Sequence, residues 1–187
     1  SAWLAERTGT IDLIRRAATL HDLGKIGIPD AILLKQDALS PAEYTLMKTH
    51  TSIGARILSG SRSPILQLAE SIALTHHERW DGTGYSPGLA GESIPLESRI
   101  VAVADALDAM INERPYRKAM SLGMALQELS RQSGAQSDPH VIQALSSIAQ
   151  MSLFNLAEAT AEGHAPTEVA AHSTPGEPAR EQNGSHF

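Results

Sequence analysis

Residues 75–108, THHERWDGTGYSPGLAGESIPLESRIVAVADALD, decide the fold of this chain, together with the shorter stretch HDLGKIGIPD at residues 21–30. The longer stretch places two adjacent histidines, His76 and His77, before a glycine-rich loop and then two aspartates three residues apart on a predicted helix. Packing alone explains this pattern poorly, because ionisable side chains are costly to bury without a partner. The pattern indicates half of a metal site.

The segments around these stretches carry the spacing of amphipathic helices. Ile11, Ile14 and Ala18 recur at helical intervals and predict a first helix that begins near residues 9–10 and brings His21 to its C-terminal end. Further helices are predicted from Ser40 with a capping box, after Ser63-Pro64, from about Pro95 to Asn112, after Ser121 and after Asp138-Pro139. No segment shows the sustained alternation of a strand, so the sequence predicts an all-α fold.

The composition bounds the size and class of the protein. A chain of 187 residues, 42% of them hydrophobic, can bury one ordinary core. We predict a domain over residues 1–156 and a disordered tail over residues 157–187, where small and polar residues follow no apolar period. No apolar run reaches the roughly 18 to 20 residues of a membrane span and no signal peptide is recognisable, so we expect a cytoplasmic protein. The chain opens on Ser1, from which we expect a piece of a longer protein.

The lack of cysteine and the charge narrow the chemistry. Without thiolates, any metal must be held by histidine, aspartate or glutamate. The net charge of −6 argues against a nucleic-acid polymer as partner, because phosphate neutralisation needs clustered lysine and arginine. A small anionic substrate is compatible with a few basic residues that converge locally.

Four histidines fall on the inner faces or ends of predicted helices, namely His21, His50, His76 and His77. A single histidine on an apolar helix face is usually a hydrogen-bonded core residue. Four of them beside the carboxylates of Asp22 and Asp105 favour shared metal coordination, because so many buried ionisable groups are costly without an ion to neutralise them. Nitrogen and oxygen ligands suit Fe, Mn or Zn, and more than four ligands indicate at least two ions.

Four motifs in this order closely resemble those of the HD-GYP family, a branch of the HD-domain phosphohydrolases. They are HDLGKIGIPD, KTHTSIG, HHERWDGTGYSPGLAGESIP and RIVAVADALDAMINERPYRKAM, and the resemblance runs from about residue 4 to residue 145. It implies an HD-domain helical bundle around two or three divalent ions, Fe or Mn in the first place and Zn, Ni or Mg as alternatives. It also implies a phosphodiesterase that hydrolyses the bacterial second messenger cyclic di-GMP to pGpG or GMP.

The resemblance assigns roles to individual residues. It implies metal ligation by His21, Asp22, His50, His76, His77 and Asp105, and contacts to the substrate phosphates from Lys25, Arg114 and Arg117. Asp22 is a reasonable ligand to bridge two ions. Lys25 follows it by three residues and could place its ammonium over a bridging phosphate, and the planar fork of arginine suits phosphate oxygens. The opposing interpretation of residues 113–118, ERPYRK, is a solvated helix end.

Two further residues have weaker predicted roles. Asp108 is expected to orient a ligand or a substrate group, and the alternative for it is a surface residue. Tyr85 is expected to contact a ligand or a partner, and packing is an equal alternative. The resemblance implies GGDEF-type or other signalling domains as partners through residues 84–86, and an upstream sensor or receiver domain of a two-component system.

The chain departs from the family pattern at two places. The family has Gly-Tyr-Pro where this chain reads Gly84-Tyr85-Ser86, so a rigid backbone angle is lost at one position. The family also has a glutamate and a ligating histidine on a helix upstream of the HD pair, and this chain begins too late to supply either. Two alternatives therefore stay open at this point. One is a phosphohydrolase that acts on another nucleotide, and the other is a degenerate module that binds without catalysis.

Overall fold

The computed structural model describes residues 2–113 and 118–161, and these residues form helices and loops. The helices are α1 (Ala2–Ala18), α2 (Asp30–Leu33), α3 (Pro41–Lys48), α4 (His50–Leu58), α5 (Pro64–Thr75), α6 (Leu96–Ile111), α7 (Leu122–Arg131) and α8 (Pro139–Ala161), with short 3-10 helices at Leu23–Gly27 and Gly91–Ser93. Within these ranges no strand occurs, and one isolated bridge pairs Ser133 with Ser137. The predicted all-α class is confirmed.

The predicted start of α3 is confirmed in atomic detail. Ser40 Oγ accepts a hydrogen bond from the Glu43 amide, and Glu43 Oε2 accepts one from the Ser40 amide at 2.7 Å. Pro41 occupies the first helical position, where its missing N–H costs nothing. The starts of α5 after Ser63-Pro64, of α7 after Ser121 and of α8 at Pro139 also agree with the sequence.

Two helix boundaries differ from the prediction. Helix α1 begins at Ala2 and ends at Ala18, so His21 lies in the turn beyond the helix and not at its end. The continuous apolar helix expected through His50 is divided at Thr49, whose amide and hydroxyl both donate to the carbonyl of Leu46. This three-residue bonding tightens the last turn of α3 and ends it. His50 therefore becomes the first residue of a new helix.

The core consists of two apolar clusters. The first joins Ala17, Leu58, Ala69, Ile72, Ala73 and Val101, and the second joins Val103, Met110, Ala125, Leu129 and Ile142. Helix α6 contributes to both clusters. The helical spacing of Ile100, Ala104, Leu107 and Ile111 predicts the core face of this helix, but Ile100 and Ile111 are 37% and 36% exposed. The reason is that α6 packs on neighbours on two sides: Val101 is buried in the first cluster and Val103, roughly 200° further round the helix, is buried in the second.

The C-terminal end of the described chain differs slightly from expectation. Helix α8 continues to Ala161, past residue 157 where the tail was predicted to begin. Residues 162–187 lie outside the described residues, and the boundary between domain and tail stays a prediction. In the part of the chain that the structure describes, no helix is both long and apolar enough to cross a bilayer.

Candidate metal centre

Four histidine rings lie side by side, although they come from three separate parts of the chain. His21 lies in the turn after α1, His50 opens α4, and His76 and His77 follow the last turn of α5. The ring centroids are 5.0 Å apart for His21 and His76, 5.5 Å for His50 and His76, 5.1 Å for His50 and His77, and 4.1 Å for His76 and His77. The structure therefore brings the four predicted histidines together.

The backbone fixes the orientation of three of these rings. His21 Nδ1 lies 2.8 Å from the carbonyl of Ala18, His50 Nδ1 lies 2.8 Å from that of Met47, and His76 Nδ1 lies 3.0 Å from that of Ile72. A carbonyl can only accept, so each Nδ1 carries the proton. The Nε2 atoms of His50 and His76 then keep a free lone pair, whereas His21 Nε2 faces the Asp22 carboxylate, which accepts its hydrogen bond in the metal-free protein. This is the usual arrangement of a histidine that ligates a metal through Nε2.

Asp22 lies among the free nitrogens. Its Oδ2 is 3.3 Å from His21 Nε2, and its Oδ1 is 3.5 Å from His50 Nε2 and 4.0 Å from His76 Nε2. Two groups of potential ligands result, each with its ligand atoms within 4.8 Å of one another: His50, His76 and His77, and His21, Asp22 and His76. Because His76 belongs to both groups, the geometry suits two neighbouring ions.

The buried polar atoms of this cluster fit divalent metal ions. Among the described residues, Asp22 Oδ1, His50 Nε2 and His76 Nε2 are buried and find no hydrogen-bond partner. Orphaned buried acceptors are costly, and an ion that binds them removes the cost. Imidazole nitrogens with a carboxylate oxygen suit Fe, Mn, Zn or Ni better than Ca.

Asp105 lies close to this cluster but outside both ligand groups. Its carboxylate lines a cavity of about 450 Å³ that is also bordered by His76, His77 and Tyr85, and its charge contributes to raising the pKa of His21. Asp108 is exposed and accepts a hydrogen bond from Asn112 Nδ2 at 2.8 Å, so it is not brought to the histidines. Arg114 and Arg117 lie outside the described residues.

Lys25 makes the closest charged contact in the cluster. Its Nζ donates to Asp22 Oδ2 at 2.5 Å. Burial opposes ionisation of Asp22, but the hydrogen bonds from His21 and Lys25 outweigh it and hold the pKa of the carboxyl well below its usual range. Asp22 is thus a permanent anion, as a bridging ligand must be.

Burial keeps two of the histidines neutral. Burial, assisted by the charge repulsion of neighbouring imidazoles, lowers the pKa of His76 to about 4 and that of His77 to about 3. The hydrogen bond to Asp22 acts in the opposite direction on His21, whose pKa it raises. At neutral pH, His76 and His77 therefore offer lone pairs without first losing a proton.

The pKa values of His76 and His77 predict that the metal-free protein loses stability as the pH falls from about 7 to about 4. In this window the unfolded chain binds protons on these two histidines and the folded chain does not, so the free energy of unfolding decreases with pH. The raised pKa of His21 has the opposite effect on the free energy of unfolding. The two lowered pKa values, of His76 and His77, outweigh it. Urea unfolding of chelated protein at pH 7 and pH 5 measures the effect.

The control for this pH effect is a histidine outside the cluster. His140 has a side chain that is 76% exposed, and His140→Gln should leave the pH dependence unchanged. His77→Gln should reduce the pH dependence of the free energy of unfolding. An equal slope in wild type and His77→Gln would contradict the prediction.

The loop after His77 is held close to the cluster by several contacts. The Tyr85 ring stacks on the His77 ring, with centroids 4.9 Å apart and an angle of 24° between planes. A Cβ at Gly84 would lie 2.4 Å from the Arg79 nitrogen, so only glycine permits this approach. Glu78, which the sequence analysis missed, is 4% exposed and accepts the Gly88 amide through Oε1 at 2.7 Å. The only sequence signal for Glu78 was an acidic residue directly after two histidines that were predicted to bind metal.

A second residue whose role the sequence did not reveal is Gly24, since a glycine after a predicted helix indicates only where that helix ends. A Cβ at this position would lie 1.8 Å from the carbonyl oxygen of His50 and 2.4 Å from the nitrogen of Gly54. The turn that carries His21 and Asp22 therefore touches the backbone of α4 directly. This close approach sets the distance between Asp22 and His50.

Comparisons with known proteins agree with this site. Residues 7–141 match the HD domain family. A cyclic di-GMP phosphodiesterase of Thermotoga maritima is 53% identical over 148 residues, which cover 77% of this chain and 40% of the relative. A cyclic di-GMP phosphodiesterase response regulator of Xanthomonas campestris pv. campestris is 50% identical over 135 residues, which cover 72% of this chain and 36% of the relative.

A solved structure also resembles the chain. An HDG"Y"P protein from Bdellovibrio bacteriovorus superimposes with a TM-score of 0.58 and 25% identity, covering 79% of this chain and 48% of that one. The chain thus spans 40% or less of the length of the two curated relatives. Residues 7–141, which match the HD domain family, contain the four clustered histidines, Asp22 and the glycine-rich loop. The chain belongs to the HD domain family, and its motifs place it in the HD-GYP branch.

Proposed function

We propose that the chain is the catalytic domain of a metal-dependent phosphodiesterase that hydrolyses cyclic di-GMP to pGpG or GMP. One observation carries the proposal: two groups of ligands share His76 and contain buried atoms that lack any partner. Such a site can hold two ions, and paired divalent ions are the common means of phosphodiester hydrolysis. The similarity to two cyclic di-GMP phosphodiesterases, those of Thermotoga maritima and Xanthomonas campestris, supports cyclic di-GMP as the substrate.

The residues of the chain divide the work of this reaction. His21, Asp22, His50, His76 and His77 would hold the ions, and we propose Asp105 as a further ligand. When bound, two divalent ions polarise the phosphodiester and lower the pKa of water. In the hydrolysis, oxygen from water bonds to phosphorus, the bond from phosphorus to one sugar oxygen breaks, and that oxygen leaves with a proton.

Basic side chains would hold the substrate. Lys25 lies beside Asp22 and would neutralise one phosphate of the diester, while Arg114 and Arg117 would grip phosphate oxygens through their planar forks. Tyr85 borders the cavity next to His77, and burial raises its pKa, so its hydroxyl keeps its proton and can donate to a substrate oxygen. We propose Asp108, which is exposed and accepts a hydrogen bond from Asn112, as a residue that orients a substrate group.

The regulation of this domain is proposed on narrower grounds. One of the curated relatives is a response regulator, which favours a receiver or sensor domain elsewhere in the full-length protein. Signalling domains of the GGDEF type would contact the loop at residues 84–86. The proposed compartment is the cytoplasm, where the nucleotide substrate occurs.

The test of the proposed function combines elemental analysis with a panel of substrates. Protein purified without oxygen is assayed with cyclic di-GMP, 3′3′-cGAMP, linear pGpG and bis(p-nitrophenyl) phosphate. We expect bound Fe or Mn, turnover of cyclic di-GMP, loss of turnover on chelation and recovery with either metal. Preference for another cyclic dinucleotide would correct the substrate, and bound metal without any turnover would show a non-catalytic module.

A further inference from the structure

A side-chain hydrogen bond joins the loop after His77 to the helix that begins with His50. Thr51 Oγ1 and Ser86 Oγ are 2.5 Å apart, although the two residues are 35 positions apart in the chain. Thr51 is fully buried, with 0% exposure, and Ser86 is exposed. The bond therefore connects an outer loop to a fixed point inside the protein.

The direction of this hydrogen bond follows from the proton count. Thr51 Oγ1 donates its single proton to the carbonyl of Lys48, at 3.0 Å. The hydroxyl of Ser86 must then donate to Thr51 Oγ1. Each hydroxyl then donates its single proton. Loss of either side-chain oxygen removes the hydrogen bond between the loop and the helix.

Ser86 directly follows the aromatic residue that borders the cavity. Tyr85 stacks on His77, and the loop is held again two residues after Ser86, where Gly88 donates to Glu78. Between these points, one side-chain hydrogen bond within the described residues connects the loop to a distant part of the chain. It is the bond from Ser86 to Thr51. This serine stands where the family motif has a proline, whose ring would restrict the backbone by itself.

We propose that Ser86 is a positioning residue, which holds Tyr85 against the metal centre through its hydrogen bond to Thr51 and so replaces the restraint of the motif proline. The inference deepens the proposed function, because the substrate that Tyr85 would contact is the one proposed above. Ser86 itself does not act on the reacting atoms. Ser86 determines the position of the Tyr85 ring when the substrate binds.

The first measurement tests the tie itself and needs no activity. Amide hydrogen exchange of the peptide over residues 84–90 is compared in wild type and Ser86→Ala. We expect exchange in this peptide to accelerate about fivefold, the change that one net hydrogen bond supports, while the peptides of α5 and α6 stay unchanged. Unchanged exchange in the loop would overturn the inference, whatever the protein hydrolyses.

The second measurement tests the consequence for the substrate. Ser86→Ala should raise KM for cyclic di-GMP about fivefold with metal content and kcat nearly unchanged, because the loss is in substrate positioning. Ser86→Thr, which keeps the hydroxyl, should restore KM. Thr51→Val combined with Ser86→Ala should be no worse in KM than Thr51→Val alone, since both changes break the same bond.

The matched control is Ser52→Ala on the same helix. Ser52 is exposed, and its hydroxyl bonds only to the carbonyl of Thr49 within the helix turn, at 2.9 Å. This change should alter neither loop exchange nor KM. Accelerated exchange with unaltered KM would overturn the positioning role, and accelerated exchange in a protein without turnover would overturn the proposed function but leave the tie in place.

Discussion

Replacing His76 with alanine is expected to weaken the binding of both metal ions and to abolish hydrolysis. His76 is shared by the two ligand groups, whereas His21 and His77 each belong to one. Changes to residues that merely orient a ligand cost roughly 10- to 100-fold in metal affinity, so loss of a shared ligand should cost at least about 100-fold. Metal content after dialysis and turnover of cyclic di-GMP measure the two effects.

The comparison among variants sharpens this prediction. His77→Ala should lose affinity mainly at one ion, so its metal content should fall less than that of His76→Ala. His140→Ala, an exposed histidine outside the site, should match wild type in metal content and turnover. If His76→Ala kept normal metal occupancy and circular dichroism showed intact helices, the assignment of His76 as a shared metal ligand would be contradicted.

Replacing Gly24 with alanine is expected to destabilise the fold by about 3 kcal/mol, the upper end of the usual cost of overpacking. The new Cβ would meet the His50 carbonyl at 1.8 Å and the Gly54 nitrogen at 2.4 Å. Both are backbone atoms, so no side chain can turn away to relieve the clash. The turn that carries Asp22 would have to move from α4, and the metal ligands would separate.

The measurement is urea unfolding of metal-free protein, followed by metal titration. Gly123→Ala is the matched control, because a Cβ at Gly123 meets nothing within 4 Å and the residue lies in helix α7. That change should stabilise the protein by up to about 1 kcal/mol, since alanine favours helix more than glycine. If Gly24→Ala unfolded at the same urea concentration as wild type, the close approach would not be a constraint.

The sequence predicted most local features of this fold correctly. Ser40, Pro41 and Glu43 define a helix start by hydrogen bonds within four residues, so their pattern needs no distant partner. The helix that follows Ser63-Pro64 was also predicted correctly, because proline at the first helical position is a local signal. The all-α class was predicted correctly as well. The family was also recognisable, because its motifs are long runs of adjacent residues.

Predictions that depended on the choice of a buried face were less successful. The spacing of Ile100, Ala104 and Leu107 marks an apolar stripe on α6. Of these three residues only Leu107 packs against a cluster, while Val101 and Val103 of this helix are buried in the two clusters. Periodicity gives the apolar faces of a helix without saying which neighbour covers them. That depends on helices distant in sequence, such as α5 and α7.

The sequence by itself determined which residue types could bind metal, since it contains no cysteine and places histidines beside aspartates in family motifs. Only the tertiary structure decided that His76 is shared, that three of the four histidines turn Nδ1 to a backbone carbonyl, and that Ser86 is hydrogen-bonded to Thr51. These facts depend on distances between segments that are far apart in the chain. Such distances are set by backbone contacts like that of Gly24 with α4, which no local pattern encodes.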